Sequence, residues 1–390
     1  MIWWNTTLLT VGYISGIVNV FSLDGILLGS GEGAPTTAVC HLQWDSPEQN
    51  HLWIGGYMGL ALVKIQFFER LPVSPCDKVV FTIINTTVDD SSSELSTITL
   101  NTVLSRSLHE IAGCGLFFDD EKNEVYSGDL SGHIFQWSID QTEPRHHIRI
   151  DDSVRCFISN KLVGTLSGSI YSIENGERIE NFNVTVICAA WNQEKNSCLI
   201  GLGDGRLIDF QTKKIVGLHE NHAEIWSVCW SPDEEFCATA SEDQTTCLWK
   251  IGKEKMLIDT LRGHTTAVTG VQWKKQRIYT CADDRTVRIY EKQSDNYSCI
   301  HILRTPKSLF GWFTLTYLQV DEDENLIICS TQNGYLVIWR DELRPSNDLP
   351  ILCKKIHFGS LEGLVYDKVR HRVIVVSSDC SVTSLRLKIN

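Results

Sequence analysis

The chain has 390 residues, 43% hydrophobic and 21% charged, a balance that suits a globular protein with a sizeable core and excludes a disordered or fibrous one. Its formal net charge of −13 speaks against nucleic acid as a direct partner, because phosphate affinity comes mostly from Lys and Arg. The fourteen cysteines form no C-x-x-C pair and lie mostly in strand-like runs such as Val228-Cys229-Trp230, where free cysteine packs as a small hydrophobe. That usage points to a reducing compartment, cytoplasmic and/or nuclear. Four N-x-[ST] triplets, at Asn5, Asn85, Asn183 and Asn296, are a weak signal in the other direction.

The opening MIWWNTTLLTVGYISGIVNVF is apolar, but it has no basic leader and carries Asn5, Tyr13 and Asn19. It reads as strands rather than a targeting segment. No run of eighteen apolar residues appears, so no membrane span is expected. Residues 3–21 look like the tail of a strand unit, and 39–65 like a weak copy of a complete one. Residues 69–109 hold a proline pair and a Ser/Thr/Asp cluster, the composition of a solvated insertion between repeats.

Copies of one unit follow at 112–139, 155–173, 186–210, 222–251, 264–292, 314–340 and 363–387. The two fullest are HAEIWSVCWSPDEEFCATASEDQTTCLWKI and HTTAVTGVQWKKQRIYTCADDRTVRIYEK. Each runs from a histidine through a V-x-x-V-x-W-like strand, a polar turn, a second strand and a D-x-T turn to a third strand ending in an aromatic. Apolar and polar residues alternate over short segments, which is strand periodicity. This repeat, roughly 40–45 residues long, resembles that of the WD40 β-propeller family. The resemblance implies an all-β WD40 β-propeller, a single ring of roughly seven to nine four-stranded blades spanning 1–390.

In that family a histidine, a hydroxyl, an aspartate and a tryptophan form a buried hydrogen-bonded tetrad, and the matching positions here are His222, Ser241, Asp243 and Trp249. The next copy keeps His264 and Asp284 but has Ala282 and Tyr290 in the other two places. The copy ending at Trp339 has Asn333 for the aspartate, and the last has Ser377 and Asp379 with Leu385 for the tryptophan. On this reading the constellation is structural, since a triad of the same residue types would need an exposed nucleophile.

Chemistry is scarce elsewhere. GLGDGRL (201–207) lacks the third glycine and the helix of a dinucleotide site, and Asp204 falls at the turn-aspartate place. His146 and His147 follow a proline with no partner at metal spacing. No catalytic residue, cofactor or metal is expected.

Ring geometry sorts the polar turns onto two faces. One carries Asp119–Glu121, Asp233, Glu234 and Glu235, and Asp321–Glu324, interrupted by the basic sectors Lys274, Lys275, Arg277 and Lys368, Arg370, Arg372. Such a field suits a partner with basic patches. The other face, where WD40 proteins commonly bind peptides, offers Glu224, Trp226, Arg262, Asp283, Arg285, Phe310 and Trp312. The expected function is a non-catalytic scaffold or adaptor for protein–protein interactions within an intracellular multiprotein complex. The alternatives are a substrate receptor of a ubiquitin ligase or an accessory subunit of an RNA-modifying enzyme. LWKIG, IYEKQ and IWRDE do not match the W-D-x-R ending of one receptor class.

Overall fold

The computed structural model describes backbone strands within residues 2–107, then most residues from His109 onward with their side chains. Short stretches, 139–143, 253–255, 306–313, 342–347 and 379–380 among them, lie outside the described residues. The described elements are strands, apart from one 3-10 turn at Glu220–His222.

From Gly113 the strands form successive four-stranded antiparallel sheets. Their first strands are Gly113–Asp119, Val154–Phe157, Val186–Asn192, Ile225–Trp230, Val268–Lys274, Leu315–Asp321 and Leu361–Asp367. Each packs on the next, and the last packs on the first. The sheets therefore close as a seven-bladed propeller, here numbered blades I to VII, with these strands innermost.

The closing strand comes from an unexpected place. Blade VII takes its fourth strand from Ile98–Ser107, which pairs along Ser381–Ile389 from Ser381↔Ser107 to Ile389↔Ile98. This corrects the reading of 69–109 as an insertion: Lys78–Val88 and Ile98–Ser107 are strands, while 69–77 and 89–97 lie outside the described residues. The Ser/Thr-rich composition misleads because threonine is a strong strand former. The single ring over 1–390 is also corrected. Two four-stranded sheets, Ile2–Glu32 and Val39–Val88, precede the ring, which closes without them.

A blade inside a ring is covered on both sides, so its middle strands cannot alternate apolar with polar. Leu326–Thr331 and Arg372–Ser377 are buried at every position. Odd and even residues face opposite neighbours: Ile327 packs toward blade V and Ile328 toward blade VII. The core is accordingly split into seven apolar clusters, one in each interface between blades. Burial between neighbours, at ~25 cal/mol per Å² of apolar surface, is the main source of stability.

Candidate functional site

Every innermost strand carries a register break near its start. Pairing skips from Val154 to Cys156, from Ile225 to Ser227 and from Leu361 to Gly363, leaving Arg155, Trp226 and Glu362 as bulges. Gly115, Ile187 and Thr269 are skipped in the same way, and blade VI skips Thr316 and Tyr317 together. A β-bulge re-aims a side chain without ending the strand. All of these residues line one cavity of about 290 Å³ on the ring axis. The blades thus present seven different chemistries at one repeated position.

The cavity is lined by a half-buried cation. The Arg155 guanidinium carbon lies 5.7 Å from the centroid of the Trp226 ring, close enough for a cation–π contact. Burial opposes its charge, and the Glu362 carboxylate favours it. Tyr317, which lines the same cavity, has its hydroxyl pushed up to about 12, mainly by burial. The mouth of the cavity is acidic. Burial, then Glu242, pushes Glu224 up, while Arg155 pulls it back down. Burial, then Asp284 and Glu242, pushes Asp283 up. The Trp226 indole N–H is buried without a hydrogen-bond partner. The thiols of Cys114 and Cys156 are pushed up to about 12, chiefly by burial, so they pack rather than react.

The tetrad exists, but with two members different from those expected. His219, not His222, is the buried histidine: its Nδ1 lies 2.8 Å from Asp243 Oδ2 and its Nε2 2.7 Å from Thr239 Oγ1. Thr239, not Ser241, is the hydroxyl, and Trp249 Nε1 donates to it at 2.8 Å. Ser241 instead donates from its hydroxyl to the Ala223 carbonyl at 3.3 Å. The histidine was misplaced because the 3-10 turn Glu220–His222, with Asn221 and His222 at positive φ, loops out between His219 and the strand and leaves His222 exposed. In blade V, His264 contacts Asp284 Oδ2 at 2.8 Å and Thr280 Oγ1 at 2.8 Å, so Thr280 fills the place expected of Ala282. One further copy, at His109, was not foreseen, nor was a His–Ser contact at the approach to blade VII. His109 contacts Asp129 at 3.1 Å and Ser127 at 2.6 Å, and His357 contacts Ser381 at 3.0 Å. The legible signal was a histidine twenty to twenty-four residues before a turn aspartate.

Of the expected partner-binding residues, Glu224, Trp226 and Asp283 come together at the channel mouth, where Trp226 and Asp283 line the cavity. The backbone N–H of Glu242 donates to the Glu224 carbonyl at 3.0 Å, tying the mouth's first strand to a turn. Arg262 sits further out, paired with Glu220 at 3.1 Å, and Arg285 holds a turn at positive φ. Phe310 and Trp312 lie outside the described residues.

Asp233, Glu234 and Glu235 lie at the opposite end of the ring, where much of the charge is used locally. Asp233 accepts from the Ser231 hydroxyl at 2.5 Å and the Glu235 N–H at 3.1 Å, and Lys195 donates to the Glu234 carbonyl at 2.6 Å. Lys275–Glu322 at 3.5 Å and Lys368–Asp323 at 3.9 Å likewise bridge adjacent blades. The GLGDGRL turn is a tight hairpin in which Asp204 accepts from Arg206 Nε at 2.6 Å. Among the described residues no three His, Cys, Asp or Glu side chains gather as a metal-ligand set, and no helix is long and apolar enough to cross a membrane.

A seven-bladed ring with radial apolar interfaces and a His–Asp–Thr–Trp network defines a β-propeller of the WD type. The family model "WD domain, G-beta repeat" matches residues 213–250 and 255–291, which cover blade IV and most of blade V. The chain is similar to a Denticleless protein homolog of Danio rerio, 37% identical over 75 residues, covering 18% of this chain and 12% of that protein. It is similar to a WD repeat-containing protein 26 homolog of Drosophila melanogaster, 26% identical over 217 residues, covering 48% and 32%. It is also similar to a subunit of chromatin assembly factor 1 from Gallus gallus, 32% identical over 73 residues, covering 18% and 13%. Residues 213–250 and 255–291 match WD repeats, and the ring that contains them is a seven-bladed β-propeller. The chain spans no more than 32% of these relatives' own lengths.

Proposed function

We propose that this protein is a non-catalytic adaptor that docks a peptide segment of a partner at the channel mouth and holds it within a multiprotein complex. The observation that carries the reading is the set of bulges, which converge dissimilar side chains on one recessed cavity over a rigid ring. Rigid presentation lowers the entropy cost of binding. One relative is by name a subunit of an assembly factor, which fits work inside a complex. The described cysteines are all free thiols, which fits a reducing compartment, cytoplasmic or nuclear. Affinity purification with quantitative mass spectrometry, comparing the wild type with Trp226→Ala at equal folded concentration, tests the reading. Loss of specific partners supports it, and an unchanged partner set contradicts it.

A further inference from the structure

The channel already shows what kind of group it accommodates. Arg155 reaches from blade II to the Trp226 ring of blade IV, in a cavity that Tyr317 of blade VI and Glu362 of blade VII also line. A half-buried cation over an aromatic face, in a cavity that a carboxylate and a phenol also line, is a cation site filled from within. Around it, Glu224, Glu242 and Asp283 add carboxylates to Glu362, more than the one Arg155 cation balances. Glu224 is near enough to Arg155 to feel its charge, so the guanidinium has a second carboxylate to move toward. The orphaned Trp226 indole N–H adds a donor for a peptide carbonyl.

From this we infer that the partner segment inserts an arginine or lysine side chain onto Trp226, and that Arg155 occupies the place until the partner arrives. The inference rests on the channel-mouth reading and supplies its ligand class and its regulation. Arg155 is a competitor in cis. It sets a threshold that a weakly cationic or badly positioned segment does not cross. The carboxylates at the mouth draw the incoming cation and receive the displaced guanidinium.

The test uses protein labelled with 5-fluorotryptophan, with the Trp226 resonance assigned by Trp226→Phe. The probes are N-acetyl-arginine amide, its lysine analogue and its neutral citrulline analogue. The arginine and lysine probes are expected to shift the Trp226 resonance in the wild type, and citrulline is not. In Arg155→Met, which keeps the packing and removes the charge, arginine should bind about tenfold more tightly because no internal cation competes. Arg155→Lys should lie between the two and serves as the second variant if Arg155→Met fails to fold. Glu224→Gln with Asp283→Asn should weaken binding and flatten its salt dependence. No shift with either cationic probe in any variant, equal response to citrulline, or weaker arginine binding in Arg155→Met overturns the inference. If partner capture still depends on Trp226 while these probes fail, the ligand class falls and the docking reading stands. If capture is independent of Trp226, the docking reading falls.

Discussion

His219 and Asp243 meet at 2.8 Å across the start of blade IV, with the histidine side chain fully buried and the carboxylate nearly so. The pair ties the entry into the blade's first strand to the turn between its second and third. Thr239 and Trp249 continue the chain of hydrogen bonds into the sheet. Removing one member leaves a buried polar group unpaired, which costs more than the bond itself contributes. His219→Ala or Thr239→Val should lower unfolding stability by about 2–4 kcal/mol in urea titrations. His222→Ala, on an exposed loop, should change it by less than about 0.5 kcal/mol.

The same pair sets a pH dependence. Burial alone would lower the His219 pKa, but the hydrogen bond to Asp243 outweighs it and raises the pKa to about 9. A raised folded pKa means that the charged pair stabilises the fold fully below the unfolded value of about 6.5. That contribution is lost as pH climbs from there through about 9. The melting-temperature difference between wild type and His219→Ala should therefore shrink between pH 6.5 and pH 9. At the acid end, burial opposes ionisation of Asp284, but the His264 hydrogen bond holds its carboxyl down at about 2. Its contribution is present above about 3.9 and is lost as pH falls through about 2.

Ring closure rests on a strand that is remote in sequence from the sheet it completes. Proline in place of Leu104, which pairs with Ser384, removes a backbone donor and should open the blade VII edge. Hydrogen exchange should rise along Ser381–Ile389 and the melting temperature should fall, while a synthetic peptide of residues 98–107 added in trans should restore part of both.

The turns between blades are close-fitted. Gly334 has φ +82, and a Cβ there would stand 1.9 Å from the His357 carbonyl oxygen of the approach to blade VII. Gly334→Ala should cost roughly 2 kcal/mol or more by urea titration, through both the left-handed backbone and the clash.

How far these features were legible in the sequence depends on whether the signal was local. Blade architecture was, because alternation and turn chemistry repeat. His264, Asp284, Asp243 and Trp249 stood at regular offsets, whereas His219 did not, because three intervening residues form a turn of their own. The closing strand was hidden because its partner lies at the far end of the chain, and strand pairing at that distance leaves no local mark. The channel's character was hidden for a different reason. Arg155 meets Trp226 and Tyr317 only because bulges in three separate blades aim them inward, and a bulge depends on how two strands register.

The most direct measurement of the central claim is hydrogen–deuterium exchange of the protein alone and bound to a partner recovered by purification. Docking at the channel mouth predicts protection at the entries to the innermost strands, around Glu224–Trp226, Asp283 and Ser360–Glu362. Protection confined to the outer strands or to the turns around Asp233–Glu235, with the channel unchanged, would contradict it.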